Sequence, residues 1–187
     1  SKDGTIKNAV RLHDGLIVES VLIPTSDRTT ACVSSQVGCS LDCEFCATAQ
    51  LKRMRNLNAD EIYDQVAAIN LESIKTHRHK LSNIVYMGMG EPLMNYNNVI
   101  KSIEMITSEE GLGMSTKRIT VSTSGLPKMI KKLADDEVKF NLAVSLHSAI
   151  EETRNKIMPF SKKFPLTDLR ESLEYWYAKT QNRITYE

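Results

Sequence analysis

With 187 residues, 41% of them hydrophobic and 25% charged, the chain has the make-up of an ordinary globular domain with one sizeable core, which excludes a disordered polypeptide. No apolar run approaches the ~18–20 residues that a membrane span needs, and the first residues do not read as a basic-then-apolar leader, so the expected setting is the cytoplasm, with no membrane partner. A net charge of +1 excludes a globally basic nucleic-acid binder and leaves any polyanion to local clusters, namely Lys52-Arg53-Met54-Arg55, the tract from Lys75 to Lys80, Lys117-Arg118 and Lys162-Lys163.

From the N-terminus, Thr5 to Leu12 and Leu16 to Ile23 flank His13-Asp14-Gly15, which predicts a β-hairpin with a tight Asp-Gly turn. Alternation puts Ile17, Glu19, Val21 and Ile23 on one face of its second strand, so Glu19 is a carboxylate on an otherwise apolar face and a candidate base. Pro24 to Arg28 reads as a loop, and Thr29 to Ser35 as a strand running into Val37-Gly38-Cys39-Ser40-Leu41-Asp42-Cys43-Glu44-Phe45-Cys46.

That loop places three of the four cysteines within eight residues. Thiols at such spacing cannot all face one side of a helix or strand, but a loop can wrap them around a compact metal site. Three ligands for a four-iron cube leave one iron open for chemistry. The alternative is zinc, with Cys32, Cys39, Cys43 and Cys46 as a four-thiolate structural site. One loop supplying three ligands, Cys32 lying within a strand, and Phe45 as an apolar shield before the last thiol all favour the cluster.

Beyond the loop, Asn58 and Glu61 predict a capping box for a helix with Ile62, Val66, Ile69 and Ile74 inward and the basic tract from Lys75 at its end. Strand and helix then alternate. Leu81 to Met87 leads to Gly88-Met89-Gly90-Glu91-Pro92 and a helix carrying Val99, Ile100, Ile103 and Ile106. Arg118 to Val121 leads to Ser122-Thr123-Ser124-Gly125 and a short helix from Pro127. Phe140 to Val144 leads to Ser145-Leu146-His147-Ser148, with Ser148 and Glu151 as a second capping box. Leu169, Leu173 and Trp176 mark a last helix, and Arg183 to Glu187 opens a fifth βα-type strand. The repeat implies an α/β fold with a parallel sheet or partial barrel, cut off at about the start of the fifth strand and preceded by the hairpin. Residues 1–28 are then a hairpin extension and linker, and residues 29–187 the barrel portion of a longer chain. The four unusual loops all follow strands, so they should share the rim where ligands of parallel α/β folds bind.

Cys39-x3-Cys43-x2-Cys46 with an aromatic before the third cysteine resembles the signature of radical S-adenosylmethionine (radical SAM) enzymes, which build a partial (βα)6 barrel. The residues from Cys32 to Cys39, Phe45-Cys46-Ala47-Thr48, Met87 to Leu93, Ser122 to Gly125 and Ser145-Leu146-His147 look more closely like RlmN-type rRNA adenine-C2 methyltransferases. Cfr-type adenine-C8 enzymes share most of these motifs.

The resemblance implies that Cys39, Cys43 and Cys46 hold a [4Fe-4S] cluster, and that Gly90, Glu91, Ser122, Ser145, Leu146 and His147 line the SAM pocket. It implies Glu19 as general base and Cys32 as a second redox-active cysteine that is not a cluster ligand. The implied activity is methylation of adenine C2 in 23S rRNA and tRNA through a methyl-cysteine intermediate, by a monomer supplied with electrons by an external donor. Adenine C2 is electron-poor, so it does not attack a sulfonium methyl directly, and a radical route is needed. In the family the methyl-carrying cysteine lies in a C-terminal segment and RNA is bound by an N-terminal domain; neither is among these residues, so this piece is expected not to methylate RNA by itself. Other readings are a radical SAM enzyme acting on a small molecule and a non-catalytic zinc or iron–sulfur module.

Overall fold

The computed structural model describes residues 2–187. Strands β1 (Ile6–Arg11) and β2 (Ile17–Pro24) form the predicted hairpin, paired Ile6 to Leu22 and Arg11 to Ile17. β2 then pairs antiparallel with β3 (Thr29–Cys32), so the hairpin extends the main sheet. The cysteine loop is bracketed by a two-residue ladder of β4 (Gln36–Val37) and β5 (Arg55–Asn56). Helix α1 (Ala59–His77) follows, and β6 (Asn83–Tyr86) returns parallel to β3. The pattern continues with α2 (Tyr96–Thr107), β7 (Ile119–Thr123), α3 (Pro127–Asp135), β8 (Asn141–Val144), the short α4 (Glu151–Ile157), α5 (Leu166–Thr180) and β9 (Ile184–Tyr186). The seven-stranded sheet runs β1-β2-β3-β6-β7-β8-β9, parallel from β3 onward.

Strand alternation explains which face is core. Ala31, Ile84, Ile119 and Leu142 are fully buried against the helices, while Thr30, Asn83, Thr120 and Asn141 are half-buried on the other face. Helical spacing supplies the opposing layer, with Val99, Ile103 and Ile106 from α2, Ile130 and Leu133 from α3, and Leu169, Leu173 and Trp176 from α5. Each such fully buried aliphatic side chain contributes about 1.5–3 kcal/mol relative to exposure. Three expectations need correction. Ile74 of α1 is exposed, because Ile62, Val66 and Ile69 already fill the inward stripe. The face of β2 that carries Ile17, Glu19 and Ile23 is the open one, since Val18, Ser20 and Leu22 are the residues turned into the core. Ser148 and Glu151 do not form a capping box: Ser148 Oγ accepts the Ile150 N–H, and the Glu151 carboxylate accepts the Leu166 N–H at 2.9 Å.

The capping box at α1 is present, and it has a third partner. Glu61 accepts the Asn58 N–H at 2.9 Å and two N–H bonds from Arg55, both 2.7 Å, while Arg55 Nε reaches Asp14 in the hairpin turn at 2.6 Å. Arg55 therefore staples hairpin, β5 and α1 together. The guanidinium holds the Glu61 carboxyl below its ordinary value of 4.5, so its contribution is present above that value and is lost as pH falls through the lowered folded-state value. Arg55→Met should lose about 1 kcal/mol of the bidentate Arg55–Glu61 interaction at neutral pH, the side chain being about a quarter exposed. In acid denaturation monitored by circular dichroism, the gap between variant and parent should close as the pH drops below 4.5.

Candidate functional site

The cysteine loop is shaped by two left-handed residues, Gly38 at φ +74° and Asp42 at φ +52°. Cys46 N–H donates to Cys43 O at 3.1 Å, a 3-10 turn over Ala47–Gln50 follows, and Met54 N–H closes the loop on Val37 O at 2.8 Å. Glu44 N–H donates to Ile157 O at 2.9 Å, which docks the loop on the end of α4. Cys43 packs with Leu41 and Met158 in a small apolar cluster that Cys39, Cys46, Ile157 and Phe160 border. Burial pushes the Cys43 thiol up to about 12, with the charges of Cys39, Cys46 and Glu91 acting in the same sense. Burial raises the Cys39 thiol too, opposed by the amides of Leu41 and Ser40. The three thiols thus lie near enough to influence one another's charge, with Cys43 the most buried. Among the described residues no group of three or more His, Cys, Asp or Glu side chains is arranged around a single metal ion.

All three cysteines line a cavity of about 230 Å³ at the C-terminal ends of the parallel strands. Gly90, Glu91, Ser122, Ser145 and His147 line it with them, as the rim argument requires. Phe45 lies against His147, ring centroids 4.1 Å apart, but remains 54% exposed, so it is not the enclosed shield expected from the sequence. Glu91 is buried and ties three loops together: Oε1 accepts the Leu93 N–H at 3.0 Å, Oε2 the Ser124 N–H at 2.7 Å, and its own N–H donates to Gln36 Oε1 at 2.9 Å. Burial raises its carboxyl, and the amide of Ser124 and the hydroxyl of Thr123 oppose that most. Leu146 departs from expectation. Its side chain lines the apolar groove with Leu166, Leu169 and Ile184, the chain turning here through the Leu146 N–H to Val144 O bond and the left-handed His147 at φ +54°.

A chain with this rim and this loop can be compared with known proteins. Residues 33–174 match the family model of the radical SAM superfamily. The chain belongs to the radical SAM superfamily. Across its whole length it is 79% identical to a probable dual-specificity RNA methyltransferase RlmN of Flavobacterium johnsoniae, covering 54% of that protein, and 41% identical to the one of Thermus thermophilus, covering 52%. A crystal structure of a radical SAM methyltransferase from Sphaerobacter thermophilus superposes with a TM-score of 0.95 at 40% identity, over all of this chain and 55% of that one. The chain spans about half the length of the curated relatives it matches.

Radical SAM membership implies a [4Fe-4S] cluster and S-adenosylmethionine, and the residues present fit both. A thiolate-only loop with an apolar backing suits a cluster, and the neighbouring cavity wall offers small hydroxyls and backbone groups to a polar ligand. A four-thiolate zinc site is not preformed among the described residues, and Cys32 does not line the cavity with the other three cysteines. It ends β3, in register with Val21, Val85 and Thr120 across the half-buried face, and burial pushes its thiol up to about 11, opposed by the Met87 amide and reinforced by Glu187. Met87 and Glu187, which act on this thiol, both line the cavity, whereas Cys32 itself does not. Glu19 does not enter the cavity. Its half-exposed carboxylate pairs with Lys7 Nζ at 2.6 Å, and only its backbone meets the rim, where its carbonyl accepts the Ser34 hydroxyl and its N–H points at Met89 Sδ at 3.4 Å. Among the residues that sequence reasoning missed, Gln36 lay inside the Cys32-to-Cys39 motif without being given a role, and Glu187 sat at the end of the last predicted strand.

No helix among the described residues is long and apolar enough to cross a membrane.

Proposed function

We propose that this chain is the radical-generating portion of an RNA methyltransferase of the RlmN type, acting on adenine C2 in 23S rRNA and in tRNA. The observation that carries the reading is the convergence of Cys39, Cys43 and Cys46 with Gly90, Glu91, Ser122, Ser145 and His147 on one cavity. In this reading the three cysteines hold the cluster, which supplies the electron that cleaves SAM reductively. The chain's own work is to orient SAM and to keep water from it. Ser122 and Ser145 offer hydroxyls on the cavity wall, the buried Glu91 fixes the loops that shape it, and Phe45 and His147 pack together on its lining. Cys32 is the second redox-active thiol, and Glu19 serves as base after turning away from Lys7.

The substrate base must leave its stack to reach a cavity of this size. Of the basic tracts, Arg55 is already engaged by Glu61 and Asp14, which leaves Lys52 and Arg53 as the cations beside the loop for RNA phosphate. The protein works in the cytoplasm as a monomer with an external electron donor. Relatives at 76–79% identity that bear the RlmN name favour C2 over C8.

The reading is tested by anaerobic reconstitution with iron and sulfide, followed by addition of reductant and SAM. A [4Fe-4S] absorption band, an electron paramagnetic resonance signal on reduction, and formation of 5′-deoxyadenosine are the expected results. A protein that yields neither cluster nor 5′-deoxyadenosine contradicts it. This chain alone should leave adenine in RNA unmethylated.

A further inference from the structure

Arg154 on α4 is fully buried, yet only part of its guanidinium is satisfied. Nη2 donates to Ser124 O at 2.7 Å, whereas Nε and Nη1 are buried without a hydrogen-bond partner. The group lies over the Phe160 ring, 5.9 Å from its centroid. A guanidinium remains charged at any physiological pH, and an unpaired buried charge is among the costliest features a fold can retain. Glu151 is the carboxylate whose charge acts most on the guanidinium, but the two form no ion pair, and Glu151 gives one oxygen to the Leu166 N–H. Bracing the Ser122–Gly125 turn through Ser124 O needs only a neutral donor, so the charge calls for another explanation.

The surroundings supply it. α4 is the helix on which the cysteine loop docks: Cys43 packs against Met158, four residues beyond Arg154, and Glu44 N–H donates to Ile157 O. This docking brings Cys43 beside the helix turn that carries Arg154, whose charge acts on the thiol in the opposite sense to Cys39, Cys46 and Glu91, while Arg154 itself feels Glu151 more than Cys43. Arg154 does not line the cavity, so its free N–H groups are not offered to a ligand there.

Resting on the reading that Cys39, Cys43 and Cys46 carry a four-iron cluster, we propose that Arg154 is a positioning residue whose buried charge offsets the negative charge of the cluster edge at Cys43 and raises its reduction potential. Reduction by the external donor adds one electron, hence one unit of negative charge, to a thiolate-ligated cluster. A fixed cation in a low-dielectric setting stabilises that more negative state, and cluster potentials respond to net charge and nearby donors.

The test compares wild-type protein, Arg154→Met and Arg154→Lys, each reconstituted anaerobically and titrated against redox dyes, with the reduced fraction read by absorption and electron paramagnetic resonance. Arg154→Met should lower the ratio of reduced to oxidised cluster about tenfold at fixed solution potential, equivalent to about 59 mV for a one-electron couple. Arg154→Lys, which keeps the charge, should shift less. Cluster-free Arg154→Met should unfold no earlier than cluster-free wild type, because an unpaired buried charge has been removed. If wild type takes up no cluster, the cysteine reading fails and this inference falls with it. If wild type and Arg154→Met take up the cluster and titrate at one potential, Arg154 is a structural brace and the inference alone is overturned. A weaker affinity for SAM with an unmoved potential overturns it equally, placing the guanidinium on the ligand instead.

Discussion

Replacing Cys43 with alanine is expected to abolish cluster assembly, taking iron and sulfide content to background and 5′-deoxyadenosine formation down by more than about 100-fold, since even outer-shell partners of a metal site account for 10–100-fold. Cys43 is the thiol most enclosed by its neighbours: Leu41 and Met158 back it, and Cys39, Cys46 and Glu91 all act on its charge. No other cysteine can replace it, because Cys32 is held in β3 with Met87 and Glu187 for neighbours. The same assay on Cys32→Ala should therefore return full cluster content. Loss of cluster in Cys32→Ala would revive the four-thiolate alternative. Retention of cluster in Cys43→Ala would remove the loop from the chemistry altogether.

Gly38→Ala is expected to destabilise the protein by about 3 kcal/mol or more and to cost it most of its cluster. At φ +74° a side chain is already strained, and a Cβ there would stand 2.3 Å from Lys52 O and 2.8 Å from Lys52 C. Both are backbone atoms, so no rotamer relieves the overlap and the strand ends that close the cysteine loop must part. Gly15 in the hairpin turn provides the control. Its φ of +83° carries the same conformational penalty, but a Cβ there would meet nothing within 4 Å. Gly15→Ala should thus cost only about 1 kcal/mol and leave cluster content alone. Urea denaturation of the two variants with an iron assay separates backbone strain from collision; equal losses for both would show that the contact with Lys52 is unimportant.

Much of this architecture is legible in the residues because local signals and global fold agree. The β-branched residues of β3, β6 and β7, the α2 and α5 stripes and the Asn58–Glu61 cap each encode their element without reference to the rest. The spacing of the three cysteines is likewise local, which is why they could be assigned to one site. What could not be read depends on which side of a strand meets a helix. Ile17, Glu19 and Ile23 share a face in either case, and only the docking of α1 on Val18 and Leu22 makes theirs the open one. Leu146 is a related case, since membership of a motif says nothing of which way each side chain of a turning segment points. Arg154 is harder still. Its importance arises from residues 30 to 111 positions away, Ser124 and Cys43, and no periodicity marks it.

The hydrogen bonds of Glu91 belong to a longer line. Arg53 and Gln36 both donate to Asn56 Oδ1, Gln36 Oε1 accepts from Glu91 N–H, Glu91 accepts from Ser124 N–H, and Ser124 O accepts from Arg154. Beyond Arg53–Asn56, each link joins one segment to another, so segments that would wander independently are frozen relative to one another when the chain folds. Their conformational entropy is then lost during folding rather than during ligand capture, leaving a bound molecule to surrender chiefly its own freedom. A cavity built this way binds as a rigid mould, and its affinity should depend little on temperature-driven loosening of any single loop.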